Sequence, residues 1–399
     1  MTHRALVVLL VLLAVLAGPA AAQFAVGTAD VTLLDPARND RPVPCDLFYP
    51  AILDGPGQPP ATPAGDGFAA VALGHGYLMS ADVYGFLAAD LARIGCVVAV
   101  PRTAGELFPD HAEFGLDLAF VARTLRDADA DPASPFHERM NGRALLMGHS
   151  MGGGASLLGL AGDPTLTGVA NFAAAETDPS AIAACAGIDR PALLLAGAND
   201  CVAPPADHQV PMYDALPGGW RTLVVLDGAS HCQFAEASFV CSLGEFCSAD
   251  ISRTVQHDRM WFLLEPWVRA VGLGEVAQGS AFQERLTGAD WLSYEQAGVV
   301  TAAPVVPRPG LRLAAAPNPF NPTTTVSFSV DRGDQVRLDV LDARGRRLRT
   351  LVAGWRDAGE HRATWDGRDG RGRPAATGTY LLRLQAGASV RVAKMVLVE

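Results

Sequence analysis

Short apolar runs separated by segments of helical spacing fill the first two thirds of the chain. Phe68–Leu73, Cys96–Val100, Ala144–Met147, Ala192–Ala196 and Thr222–Leu226 are almost uninterrupted apolar stretches, the pattern of strands buried on both faces. Tyr84–Arg93 and Phe114–Leu125 repeat their apolar residues every three or four positions, and His257–Val271 closes the series with a further apolar helix. Strands alternating with helices predict an α/β fold, a mostly parallel sheet with helices on both faces. From Leu311 the period drops to two. Thr324–Val330, Gln335–Leu341, His361–Trp365, Gly378–Leu384 and Ser389–Val392 alternate apolar with polar between Gly, Asp and Pro turns, which predicts a small antiparallel β-sandwich.

The segment between the two patterns, 273–310, reads as a linker, stiffened by Pro304, Pro307 and Pro309, although Asp290–Tyr294 has the look of a short packed element. Ahead of the first pattern, Met-Thr-His-Arg, the apolar run Ala5–Ala17 and Ala20-Ala21-Ala22 form a secretory signal peptide. The expected organisation is therefore a signal peptide over 1–22, an α/β domain over 23–272, a linker over 273–310 and a sandwich over 311–399. A secreted or outer-surface location follows. All seven cysteines lie before residue 248, and an oxidising compartment suits them. Spacing does not fix their pairing. Cys241 and Cys247 are close enough to bridge locally, and a Cys201–Cys232 bridge would staple two loops that matter below.

Charge narrows the partners. The net charge is −11, but residues 305–399 hold 16 basic and 9 acidic side chains, so the rest of the chain carries −18. An acidic domain does not suit a nucleic-acid substrate. The arginines of the tail are interleaved with acids, as on a solvated surface. No C-x-x-C pair is present, and neither a metal nor a cofactor is expected.

The chemistry centres on Gly148-His149-Ser150-Met151-Gly152. An apolar strand running into G-x-S-x-G and then into a small-residue helix is a nucleophile elbow. The turn strains the backbone at Ser150 and raises its hydroxyl above the sheet, while Gly148 and Gly152 leave room because they lack Cβ atoms. The same turn aims the Met151 N–H at the reacting carbon's oxygen, half of an oxyanion hole. A second donor is expected from Leu73-Gly-His-Gly-Tyr-Leu78, at the amide of Tyr77 or of Leu78.

A serine nucleophile needs a base, and the base needs an orienting carboxylate. His231, in Leu226-Asp-Gly-Ala-Ser-His, follows a strand and can reach back over the sheet edge. His208 and His257 sit in helix-like stretches and His361 lies in the sandwich. Asp200 directly follows the strand that ends near Gly197, where a carboxylate faces the ligand crevice of such sheets. Glu176 and Asp178, after the apolar run Val169–Ala175, are its rivals. Ser150, Asp200 and His231 are thus the expected catalytic residues. His75, Leu78, His149 and Glu176 are candidate pocket residues.

Gly74-His-Gly-Tyr77, Gly148–Gly153, Gly197-Ala-Asn-Asp-Cys-Val-Ala-Pro204 and Gly228-Ala-Ser-His231 together resemble the α/β-hydrolases of the bacterial cutinase, polyester hydrolase and chlorophyllase group. The resemblance spans about 68–235. It implies the α/β-hydrolase fold and a carboxylic-ester hydrolase with Ser150 as nucleophile, Asp200 as acid, His231 as base, and oxyanion amides on Tyr77 and Met151. One departure stands out: polyester hydrolases usually carry a tryptophan after the strand that here ends Phe172-Ala-Ala-Ala-Glu-Thr. Only 50 residues separate Ser150 from Asp200, leaving little chain for a lid.

Ala316-Pro-Asn-Pro-Phe-Asn-Pro, Trp365-Asp-Gly-Arg-Asp-Gly and Gly378-Thr-Tyr-Leu resemble the immunoglobulin-like domain of flagellar hook-capping proteins and the sorting domains of type IX secretion cargo. That likeness implies contact with secretion machinery or attachment to the cell surface through 311–399. The expected function is a secreted serine hydrolase acting on small or polymeric esters. A lipase or phospholipase, and a non-catalytic surface protein on a hydrolase scaffold, are the alternatives.

Overall fold

The nearly unbroken apolar runs become central strands, because only a strand covered on both faces buries every side chain. A computed structural model describes residues 23–298, except 64, and 313–398, except 331–332, 343–344, 358 and 387–388. The expected signal peptide and the proline-rich part of the linker lie outside the described residues. The chain divides into two compact units: Met1–Ala122 with Ala144–Ala303, and Arg123–Arg143 with Pro304–Glu399.

The strands of the large sheet are β1 (Ala25–Asp35), β2 (Arg41–Ala51), β3 (Gly55–Pro56), β4 (Phe68–Gly74), β5 (Cys96–Pro101), β6 (Met140–His149), β7 (Gly168–Phe172), β8 (Ala192–Gly197), β9 (Arg221–Leu226) and β10 (Leu292–Ala297). They form one sheet in the order β10-β9-β8-β7-β6-β4-β5-β2-β1-β3. β6 to β9 run parallel, as do β4 and β5, while β1 and β2 form an antiparallel hairpin and β10 lies antiparallel to β9. The sheet is thus mixed: parallel where the site residues sit, antiparallel at β10 and through β5, β2 and β1, with the two-residue β3 parallel to β1 at the far edge.

The helices are α1 (Gly85–Arg93), α2 (His111–Asp127), α3 (Met151–Gly162), α4 (Ala181–Cys185), α5 (Gln209–Ala215), α6 (Phe239–Gly244), α7 (Arg253–Val271) and α8 (Ala277–Gly288). Strand alternation assigns them to faces. Leu145 and Met147 of β6 share a core with Leu87 and Leu91 of α1 and with Leu264, Trp267 and Val268 of α7. Leu146, between them, reaches the other face, where it meets Gly159 of α3. A fully buried carboxylate, Asp117 of α2, ties the β1–β2 hairpin down through Arg38 at 2.6 Å and Arg41 at 2.9 Å.

Two sequence expectations need correction. Residues 273–297 are not linker: α8 buries Phe282 and Leu286 in the main core, and β10 extends the sheet past β9. The disulfide partners are also exchanged, with Cys201 bonded to Cys247 and Cys232 to Cys241. A short helix, α6, lies between the paired positions and turns each cysteine toward a different loop. Cys45, Cys96 and Cys185 are free and buried. Burial pushes each of their thiols up to about 12, so none is a nucleophile at neutral pH.

In the second unit, β11 (Leu313–Ala316), β12 (Thr324–Val330) and β15 (Gly359–Trp365) form one sheet. β14 (Arg347–Arg356), β13 (Asp334–Asp342), β16 (Gly378–Ala386) and β17 (Ser389–Leu397) form a second. Every strand pair in both sheets is antiparallel. Phe320, Val326, Phe328, Leu338, Trp365, Leu382 and Met395 share one core. The Trp365 indole N–H finds the Arg368 carbonyl at 2.9 Å, which makes its burial affordable.

Candidate active site

The elbow forms because β6 passes into α3 with a single residue between them. That residue, Ser150, adopts φ 54° and ψ −122°, a left-handed conformation rare for a side-chain-bearing residue. The surroundings hold it there. Its N–H donates to the Phe172 carbonyl at 3.0 Å, and its carbonyl accepts from Ala175 N–H at 2.9 Å and Gly153 N–H at 2.9 Å. Backbone also presses in from both sides. A Cβ at Gly148 would stand 2.2 Å from the Gly152 oxygen, and one at Gly152 would stand 2.4 Å from the Gly74 carbonyl. Met151 is the first residue of α3, so its amide has no acceptor within the helix and points outward.

Asp200 lies in the turn after β8 and His231 in the turn after β9. The Asp200 carboxylate is fully buried. Its Oδ1 accepts from the amides of Val202 at 2.9 Å and Ala203 at 2.8 Å, and its Oδ2 lies 2.7 Å from His231 Nδ1. A carboxylate only accepts, so Nδ1 carries the proton and Nε2 keeps its lone pair. Among the described residues no hydrogen bond joins the Ser150 hydroxyl to the imidazole. The two loops nevertheless meet. His149, the neighbour of Ser150, places its Nε2 3.1 Å from the His231 carbonyl, and the two rings lie 4.7 Å apart. Glu176 and Asp178 lie elsewhere. The Glu176 Oε2 accepts the Ile182 amide at 2.9 Å, and the buried carboxylate facing His231 is that of Asp200.

A groove of about 470 Å³ passes Ser150 and Met151 and is lined also by Tyr77, Leu107, Phe108, Pro109, His111 and Ala175–Asp178. Glu176 is among the residues lining the groove, and His75, Leu78 and His149 are not. His75 is buried with its ring nitrogens 2.9 Å from the Gly76 carbonyl and 2.8 Å from the Thr103 carbonyl, so it braces the loop it sits in. Leu78 carries φ 54°, a turn conformation that follows Tyr77. Tyr77 anchors the groove wall instead, its hydroxyl donating to the Leu107 carbonyl at 2.7 Å.

Two positioning residues, Tyr84 and Gln256, carry no signature in the sequence, and His149, expected in the pocket, takes a positioning role with them. Tyr84 accepts the Gly76 amide at 2.9 Å and its hydroxyl meets His149 Nδ1 at 2.8 Å. Because the His231 carbonyl only accepts, His149 Nε2 carries the ring proton and Nδ1 receives the tyrosine's. One buried strut thus links the loop of Tyr77, the elbow of Ser150 and the backbone of His231. Gln256 of α7 grips Ser230 with both ends of its amide, at 3.0 Å and 2.8 Å. His149 is a polar residue at the end of an apolar run, but Gln256 sits among polar neighbours and Tyr84 near Asp82, so nothing local identifies their partners.

Burial, and then the His231 ring, hold the His149 pKa well below its ordinary 6.5. The folded chain keeps this ring neutral while the unfolded chain protonates it, so its contribution to stability is complete above about pH 6.5 and is lost as the pH falls. Denaturant unfolding between about pH 7 and about pH 5 checks this. His149→Gln is expected to be less stable at pH 7, yet to lose less per unit of acidification, by up to about 1.4 kcal/mol per pH unit.

A strand–elbow–helix at the carboxyl edge of a parallel sheet segment, with a buried carboxylate–imidazole pair on the loops after β8 and β9, defines an α/β-hydrolase. Within that class the chain belongs to the PET hydrolase-like family, whose model matches residues 58–266, just over half of the chain. It is accordingly an ester hydrolase by family. The FlgD Ig-like domain matches residues 318–389, within the β unit.

Proposed function

We propose that the protein hydrolyses carboxylic esters through an acyl-enzyme on Ser150, with His231 as general base and Asp200 as its orienting carboxylate. The observation that carries this reading is the buried 2.7 Å Asp200–His231 contact in a loop bonded to the residue beside Ser150. Substrate draws the Ser150 hydroxyl to Nε2, a hydrogen bond that tightens in the complex. Nε2 takes the proton as Oγ attacks the ester carbon. The amides of Met151 and Tyr77 receive the oxyanion. The imidazolium, steadied by Asp200, then protonates the leaving alkoxide, and water repeats the sequence to release the acid.

The open groove and the short chain between β7 and β8 favour extended esters, polymeric ones included, over a lipid chain that needs a deep tunnel. The wall residues Tyr77, Leu107 and Phe108 supply the apolar surface that flanking substrate units require. Secretion agrees with the two disulfides. We propose export or surface attachment as the role of the β unit, whose residues 318–389 match the FlgD Ig-like domain.

A fluorophosphonate probe tests the chemistry. One equivalent is expected on Ser150, with parallel loss of p-nitrophenyl butyrate turnover. An unlabelled protein, or label elsewhere with turnover intact, rejects the mechanism.

A further inference from the structure

The β unit carries a charge opposite to that of the rest of the chain, and its fold gathers part of that charge on one face. In β13, Val336, Leu338 and Val340 join the core, so Arg337 and Asp339 lie on the outer face of the four-stranded sheet. In β16, Arg383 stands between the core residues Leu382 and Leu384 and shares that outer face. Register places Asp339 opposite both Thr350 of β14 and Arg383, Leu341 opposite Arg347 and Leu381, and Leu381 opposite Lys394 of β17. Cross-strand partners share a face. Arg347, Arg337, Arg383 and Lys394 therefore stand together, one from each strand, and Asp339 is the one acid among the paired positions of this face.

Asp339 does not neutralise them. Its side chain is fully buried; Oδ2 accepts from Arg337 Nε at 2.9 Å and from Arg383 at 3.2 Å, and Oδ1 accepts from the Thr350 hydroxyl at 2.6 Å. One guanidinium is enough to pair a buried carboxylate. The second is surplus charge, held beside the first. Both arginine side chains stay 42% exposed, and among the described residues neither Arg347 nor Lys394 has a carboxylate partner. Like charges brought together repel, so folding gains nothing from the arrangement, whereas an anion does.

The spread decides what kind of anion. Arg347 and Lys394 lie in one cross-strand row on the two edge strands, on the order of 14 Å apart at about 4.8 Å per strand. That is too far for one small ion and suits a chain with repeated negative charges. Trp355, across from Gln335 at the end of the same face, is 56% exposed. It packs down on Gly333, where a Cβ would stand 2.7 Å from its ring, and its N–H donates to Asp357 at 3.2 Å. A ring held in that way offers a stacking surface to a sugar rather than a wedge to push into lipid.

We propose that this outer sheet face binds an acidic polysaccharide, the guanidinium pair of Arg337 and Arg383 taking one carboxylate and Arg347 and Lys394 others along the same chain. The inference goes beyond the roles proposed above and stands without the ester-hydrolase reading. Full-length protein is titrated with polygalacturonate at neutral pH and low salt, with uncharged pullulan alongside. The whole chain carries −11, so its bulk charge opposes this binding and a positive result reports the local face.

The protein is expected to bind polygalacturonate and not pullulan, and to be released by about 0.5 M NaCl. Arg347→Glu with Lys394→Glu is expected to lower the affinity at least about tenfold with the thermal midpoint unchanged. Arg383→Gln, which leaves Asp339 its bonds from Arg337 and Thr350, weakens binding by a smaller factor. Lys394 is the only lysine of the chain, so a second measurement needs no variant: bound polymer is expected to slow acetylation of its ε-amine. Absence of polygalacturonate binding overturns the proposal, as does binding that both variants retain in full, or an acetylation rate that the polymer leaves unchanged. Equal binding to pullulan also overturns it. So does tighter binding to phosphatidylglycerol vesicles than to polygalacturonate, which assigns the face to a membrane.

Discussion

Asp200→Asn is expected to lower kcat on soluble esters about 10⁴-fold while the protein folds normally. The argument runs through tautomers. Asp200 Oδ1 accepts two backbone amides, from Val202 and Ala203, and an asparagine keeps both by placing its carbonyl oxygen there. Its NH₂ then replaces Oδ2, 2.7 Å from His231 Nδ1. Two donors cannot share that contact, so Nδ1 gives up its proton and Nε2 takes it. A protonated Nε2 cannot accept from Ser150, and the nucleophile goes unactivated. KM should change little, because Asp200 is buried behind the imidazole and does not line the groove. Glu176→Gln is the matching control. Its side-chain carbonyl can still accept the Ile182 amide, and a loss of less than about tenfold is expected, since it removes one charge from the groove wall and nothing from the proton path. A large effect at Glu176 with a small one at Asp200 would exchange their roles.

The parts of this arrangement that could be read from sequence are those with a local signature. Five buried strands were visible because their side chains are apolar on both faces, and the strands of the β unit because theirs alternate. β1 and β2 were not: β2 carries Pro42, Pro44 and Pro50, which argue against a strand, and their hairpin lies toward one end of the sheet, where such residues are tolerated. β14 was missed for a related reason. It is an edge strand rich in arginine and mostly half-exposed, so its alternation is faint. Ser150 announced itself through two glycines and a strand. Asp200 and His231 are candidates by their positions after strands. Tyr84, His149 and Gln256 act through contacts across 65, 82 and 26 residues of chain, and nothing local encodes such pairings. The disulfides failed in the same way: a short helix between Cys232 and Cys247 decides which sulfur faces which loop, and proximity in sequence does not report it.

Gly148→Ala should be the most damaging single methyl group that can be added to the elbow. The new Cβ would lie 2.2 Å from the Gly152 oxygen, 2.3 Å from its carbonyl carbon and 2.6 Å from Gly153 N. All three are backbone atoms of the turn and of α3, so no rotamer change relieves the contact. Ordinary overpacking costs about 1–3 kcal/mol because side chains give way. Here the only relief is to move the first turn of α3 away from β6, and that turn holds Ser150 at φ 54°. We expect a loss at or above about 3 kcal/mol, a thermal midpoint about 6–12 °C lower, and a fall in kcat larger than the stability loss explains, since the hydroxyl and the Met151 amide both leave their places. Gly162→Ala separates this from a general intolerance of alanine in α3. It is the last residue of the same helix and a Cβ there meets nothing within 4 Å, so the change should leave activity intact and raise stability by up to about 1 kcal/mol through helix propensity and a less flexible unfolded chain. Equal midpoints for the two variants would show that the elbow has slack, and the strained backbone at Ser150 would then need another source than the crowding of Gly148 against Gly152.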